Sequence, residues 1–100
     1  MDSDLLKIIK HYGVINQLKY FQSEVFELNE AIINREDYLT YSSEIEPYTI
    51  AMLDMHIAEE ISDVQVMLNQ FKEYYNIKDI PIQTIMKEKI NRQLERIKTE

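Results

Sequence analysis

Cysteine and tryptophan are absent from the 100 residues, glycine occurs once, as Gly13, and proline twice, as Pro47 and Pro81. Without cysteine the chain has no disulfide framework and no thiolate metal site, so a metal here would take oxygen ligands, with histidine as the remaining option. A single glycine excludes a Gly-rich phosphate cradle and leaves few tight turns. No serine stands in an evident arrangement with His and Asp, so nucleophilic catalysis has no support. No apolar run approaches the roughly 18 residues of a membrane span. The opening Met1-Asp2-Ser3-Asp4 is acidic where a secretory leader is basic. These features predict a soluble, cytoplasmic protein without a membrane partner. A net charge of −7 argues against a nucleic-acid partner, because phosphate backbones are held by a basic footprint.

What is abundant is Leu, Ile, Glu, Lys and Gln, which favours helix, and 45% of the residues are hydrophobic. The expectation is one all-α domain over residues 1–100, a bundle of three main helices plus a short N-terminal one. Residues 3–12 form that short helix, stopped by Gly13. From Val14 to about Asn34, the series Val14, Leu18, Phe21, Val25, Leu28, Ile32 makes one helical stripe. Residues 35–47 lose the period and read as a long connection. Ser43 with Glu46 resembles a capping box, and Pro47 suits a first helical turn. The next helix runs to Tyr75, its core stripe being Ile50, Leu53, Ile57, Ile61, Val64, Leu68, Phe71 and Tyr75. Met52, Met55 and Val66 lie toward its opposite side, and a helix apolar on two sides predicts a partner, so a homodimer or homotetramer completes the bundle. After Asn76–Pro81, with Asp79 as N-cap, the last helix is expected to bury Ile82, Met86, Ile90, Leu94 and Ile97.

Charge is distributed unevenly. Between Glu36 and Phe71 there is no Lys or Arg against eight Asp and Glu, whereas Lys87 to Lys98 carries five basic and two acidic residues. Two acidic signatures stand out, Glu24-Val25-Phe26-Glu27 and Glu60-Ile61-Ser62-Asp63. Each sets two carboxylates three residues apart, on one helix face. No Lys or Arg stands three or four residues from any of the four, and the nearest ring nitrogen is on His56. Glu24 is expected on the shoulder of its stripe, with Gln17 and Ala31 on the same side. Brought together, four such carboxylates repel unless a cation sits between them. The plain alternative is a pair of solvated helix surfaces.

Hard oxygen ligands suit Mg²⁺, with Mn²⁺ as a substitute. Di-iron bundles need Glu-x-x-His pairs on two helices, and here Ile8 and Leu53 stand three residues before His11 and His56. The His-Glu-x-x-His of zinc hydrolases is also missing. What remains is metal-assisted attack of water on a phosphate ester or anhydride. The basic strip of the last helix, Lys87, Lys89, Asn91, Arg92 and Arg96, would then hold the phosphate charge.

Residues 23–32, Ser-Glu-Val-Phe-Glu-Leu-Asn-Glu-Ala-Ile, followed by Glu-Glu-Ile-Ser-Asp-Val at 59–64, resemble the MazG-type nucleotide pyrophosphohydrolases of the all-α NTP pyrophosphatase superfamily. The resemblance spans about residues 14–98. Lys87, Asn91 and Arg92 or Arg96 are similar to the Lys-and-Asn/Arg segment that often follows the two acidic motifs. It implies a Mg²⁺-dependent enzyme that cleaves a nucleoside triphosphate between the α and β phosphates, in a nucleotide-pool house-cleaning role. It further implies metal ligation by Glu24, Glu27, Glu60 and Asp63, with Glu24 or Glu27 also acting on the attacking water, and oligomers in which two protomers build each site. Ser23 stands where many members carry a further Glu, and the connection between the motifs is long for the family. The competing readings are a phosphoribosyl-ATP pyrophosphatase, whose characteristic motifs are not visible, and a non-catalytic helical interaction module with an acidic face.

Overall fold

The computed structural model describes residues 2–100, and every regular element among them is a helix. α1 (Asp4–Tyr12) opens at Ser3, whose Oγ accepts from the Leu6 amide at 3.1 Å. It ends at Gly13, held at φ 89°, where a side chain would be strained. The Gly13 amide donates to the Ile9 carbonyl at 2.8 Å and its own carbonyl accepts from the Gln17 amide at 3.0 Å, so one residue closes α1 and opens α2. α2 (Val14–Tyr41) and α3 (Pro47–Tyr74) have 28 residues each, and α4 (Asp79–Thr99) has 21. α3 closes through Asn76 at φ 54°, with the Ile77 amide donating to the Lys72 carbonyl at 2.9 Å, the Schellman pattern.

The helix ends depart from the sequence expectation in three places. α2 passes its expected end near Asn34 and reaches Tyr41, leaving only residues 42–46 as the connection. The apolar period stops there but the interface continues: Arg35 pairs with Asp54 of α3, and the half-buried Tyr38 hydroxyl accepts from the Glu46 amide at 2.8 Å. The Ser43–Glu46 capping box does not form, because Glu46 itself is the N-cap of α3 and makes no side-chain cap bond. Asp79 lies inside the first turn of α4, paired with Lys72, and Lys78 is the cap residue.

α2 and α3 pack antiparallel, since Gln17 meets Gln70 and Arg35 meets Asp54 at opposite ends of the pair. α1 lies against both. The packed faces are rotated from the apolar stripes. On α2 the facing row is Gln17, Phe21, Glu24, Leu28, Ala31 and Arg35, while Leu18, Val25 and Ile32 are exposed. On α3 the row through Leu53, Ile57, Glu60, Val64, Met67 and Phe71 faces in, while Ile61, Leu68 and Tyr75 face out. Phe21 and Phe71 meet edge to face at 5.6 Å and anchor one end of the interface. Among the described residues only Ile9, Ala31 and Met67 are fully buried hydrophobics.

α4 packs on no other helix of its chain. Met86, Ile90, Leu94 and Ile97, expected in the core, are more than half exposed, and only Ile82 is partly covered. They are exposed because α4 extends away from the α1–α3 unit and finds no apolar face to cover it. The chain consequently exposes 8027 Å² and has a radius of gyration of 17.7 Å. A compact monomer of this mass would expose about 6,000 Å², with a radius near about 13 Å. No helix among the described residues is long and apolar enough to cross a membrane.

Candidate metal centre

The rotation of the packed faces is what creates the site. Because the α2 row through Gln17, Phe21, Glu24 and Ala31 faces α3, Glu24 stands in the interface, level with Asp63, and Glu27 is level with Glu60. Glu27, one turn on in α2, and Asp63, one turn on in α3, are the two exposed members. Each of the four carboxylates offers an oxygen within 4.8 Å of those of the other three. Glu24 and Glu60 are buried, and Glu27 and Asp63 are exposed, so the cluster runs from the interface floor to the surface. The two acidic signatures are thus one constellation, and the reading as separate solvated surfaces does not describe it.

Glu24 is 5% exposed, and its Oε2 has no hydrogen-bond partner; the Oε2 of Glu60 is buried and unpaired as well. Buried carboxylate oxygens without donors are costly, because each has lost water and gained nothing in return. Among the described residues no Lys or Arg pairs with any of the four, and the one basic neighbour is His56, whose Nε2 lies 3.3 Å from Glu60 Oε1. An all-oxygen set with two orphaned buried oxygens and room at an open rim fits a hard divalent cation such as Mg²⁺ or Mn²⁺.

Burial pushes the Glu24 carboxyl above the ordinary glutamate range. A hydrogen bond from the Tyr20 hydroxyl acts against that rise, and the negative charges of Glu27 and Asp63 add to it. The Tyr20 phenol is itself pushed up, first by its hydrogen bond to Glu24 and then by the charge of the same residue. Glu24 is therefore disposed to hold a proton when no cation is near.

The basic residues expected to complete the site are elsewhere. Lys87, Lys89, Asn91, Arg92 and Arg96 all lie on the exposed α4, which packs on neither α2 nor α3 of its own chain beyond the Lys72–Asp79 ion pair at its start. Tyr20 and Gln70 do not stand out in the sequence, yet Tyr20 bonds Glu24, and Gln70 is buried beside Gln17. Both follow a signal that the acidic motifs carry once the interface row is known. Tyr20 sits one turn before Glu24, and Gln17 and Gln70 sit two turns from Glu24 and Asp63. Comparison with known proteins adds nothing to this geometry: no family model, no curated protein and no solved structure matches the chain.

Proposed function

We propose that the chain is a Mg²⁺-dependent nucleoside triphosphate pyrophosphohydrolase that works as a homo-oligomer. The observation that carries this reading is the pairing of four carboxylates from two helices around two buried, donor-free oxygens. Glu24, Glu27, Glu60 and Asp63 would hold the ion, which when bound supplies Lewis acidity toward a phosphate anhydride. Water attacks the α phosphorus, the α–β anhydride bond breaks, and monophosphate and pyrophosphate leave. Glu24, the carboxylate next to Tyr20, takes the proton that the water loses. Glu27, at the rim, is the second residue placed to orient the water.

The reading needs positive charge near the leaving phosphates, and α4 carries it away from the cluster of its own chain. A second copy supplies it: the basic strip of one α4 lies against the acidic α2–α3 face of its partner, and the exposed Ile90 and Leu94 become covered. The surface excess of this chain over a compact monomer, about 2,000 Å² on each protomer, is in the range of the large interfaces of obligate homodimers. A nucleotide-pool house-cleaning role inside the cell fits this chemistry.

The test is incubation with a panel of NTPs and dNTPs plus Mg²⁺, scored for monophosphate and pyrophosphate. Absence of cleavage across the panel counts against the reading, as does cleavage left intact by Glu60→Gln with Asp63→Asn. A second reading, a non-catalytic interaction module, draws on the unpartnered α4 alone. It requires that Mg²⁺ leave the melting temperature unchanged.

A further inference from the structure

Beside the carboxylates lies a cleft of about 610 Å³, floored by the α2–α3 interface and walled by α1. Glu24 and Asp63 close one end of it, and Gln17 and Gln70 lie in its floor. Gln17 stands seven residues before Glu24 and Gln70 seven after Asp63, so on antiparallel helices both amides sit about 10 Å from the carboxylates. That span accommodates a sugar with a base beyond it. Both amides are buried, Gln17 at 7% and Gln70 at 2% exposure.

Their hydrogen bonding is incomplete in a particular direction. The Gln17 Nε2 donates to Gln70 Oε1 at 2.8 Å, and the Gln70 Nε2 makes only a weak contact with the Met67 sulfur at 3.8 Å. Among the described residues no donor reaches the Gln17 carbonyl, which together with its second N–H remains available toward the cleft. A carbonyl beside an N–H is the donor–acceptor couple that matches the edge of a nucleobase. Tyr12 and Tyr20, both more than half exposed, stand in the cleft wall with rings available for stacking. A cleft serving only as helix packing would be expected to have apolar side chains where the two glutamines stand.

We infer that this cleft is a nucleobase-binding site in which Gln17 reads the base edge and Gln70 fixes the orientation of the Gln17 amide. The inference rests on the nucleotide reading above and adds to it where the base lies. It also separates Gln17, which touches the base, from Gln70, a positioning residue that acts through Gln17.

The experiment titrates ¹⁵N-labelled protein with nucleoside monophosphates and Mg²⁺, with inorganic pyrophosphate as the base-free control. The side-chain amide signals of Gln17 and Gln70 are expected to move with the monophosphates and not with pyrophosphate. Gln17→Leu is expected to weaken monophosphate binding about tenfold or more, while the Mg²⁺-dependent rise in melting temperature persists. Should Gln17→Leu fold poorly with Gln70 left unpaired, Gln17→Leu with Gln70→Leu removes both partners together and gives the same readout. Unmoved amide signals, or equal binding by the double variant, overturn the base site. Monophosphate binding through these amides without cleavage of any triphosphate overturns the hydrolase reading and leaves the base site standing. Triphosphate cleavage with kcat/KM unaltered in the double variant does the reverse.

Discussion

The α2–α3 pair and α4 invert the usual assignment of side chains to inside and outside. The pair buries Gln17, Glu24, Glu60 and Gln70 in its interface, whereas α4 leaves Met86, Ile90, Leu94 and Ile97 in water. Ordinary monomers do neither on this scale. Polar groups held dry are expensive unless something satisfies them, and apolar rows left wet are expensive unless something covers them. The two anomalies call for different occupants. Under the function proposed above, a cation and a nucleotide would answer the first, and a second copy of the chain the second.

The largest effect should come from α4. Ile90→Asp with Leu94→Asp removes four apolar side chains from a dimer interface, each worth about 1.5–3 kcal/mol. Sedimentation should show the wild type as a dimer or tetramer and the variant as a monomer that has lost triphosphate cleavage. A wild type that sediments as a monomer breaks the α4 half of the comparison. Next, Glu60→Gln with Asp63→Asn should lower kcat/KM by about 10³-fold or more, since several kcal/mol of charge stabilisation depend on the ion. An unchanged rate would remove the carboxylates from the chemistry. Third, Mg²⁺ at about 100 times its Kd should stabilise the fold by about 2.7 kcal/mol. For a domain of this size that is a rise of about 10 °C or more in melting temperature, and a flat response would mean that the cluster is not a metal site.

The smallest expected effect is a pH dependence of the metal-free protein. Because burial raises the Glu24 pKa in the fold, its contribution to stability is fully present below the ordinary glutamate range. That contribution is lost as pH rises through the raised value, where an unpaired charge is forced into the interface. Glu24→Gln should therefore melt a few degrees above the wild type at neutral pH without metal. The difference should shrink as pH falls from the raised value toward the ordinary glutamate range and be gone below it. A constant gap across that range would assign the effect to packing rather than to charge.

Much of this was legible before folding. Ser3, Gly13 and Pro47 act locally, through cap bonds, a positive φ and a fixed first turn, and the helices start or stop where those residues stand. The four carboxylates were legible too, since three-residue spacing puts each pair on one face. The connection was not: Arg35 and Tyr38 extend α2 through contacts with α3 and with the following turn, which no local period encodes. Nor was the depth of Glu24 legible, because the apolar stripe joins Phe21 and Leu28, which face α3, to Leu18, Val25 and Ile32, which face water, and so centres the packed face away from Glu24.

By itself the sequence determined an all-helical chain, the starts marked by Ser3, Gly13 and Pro47, and two carboxylate pairs without a local counter-charge, because backbone propensity and residue spacing act over one or two turns. Only the tertiary structure decided which face of α2 meets α3, and so that Glu24 and Glu60 lie buried between the helices while Gln17 and Gln70 line a cleft beside them. It also decided that α4 stands apart from its own acidic face. The physical reason is that a helix rotates as a unit: which row faces inward depends on the partner helix. A rotation of one row is enough to turn two acidic surfaces into one centre.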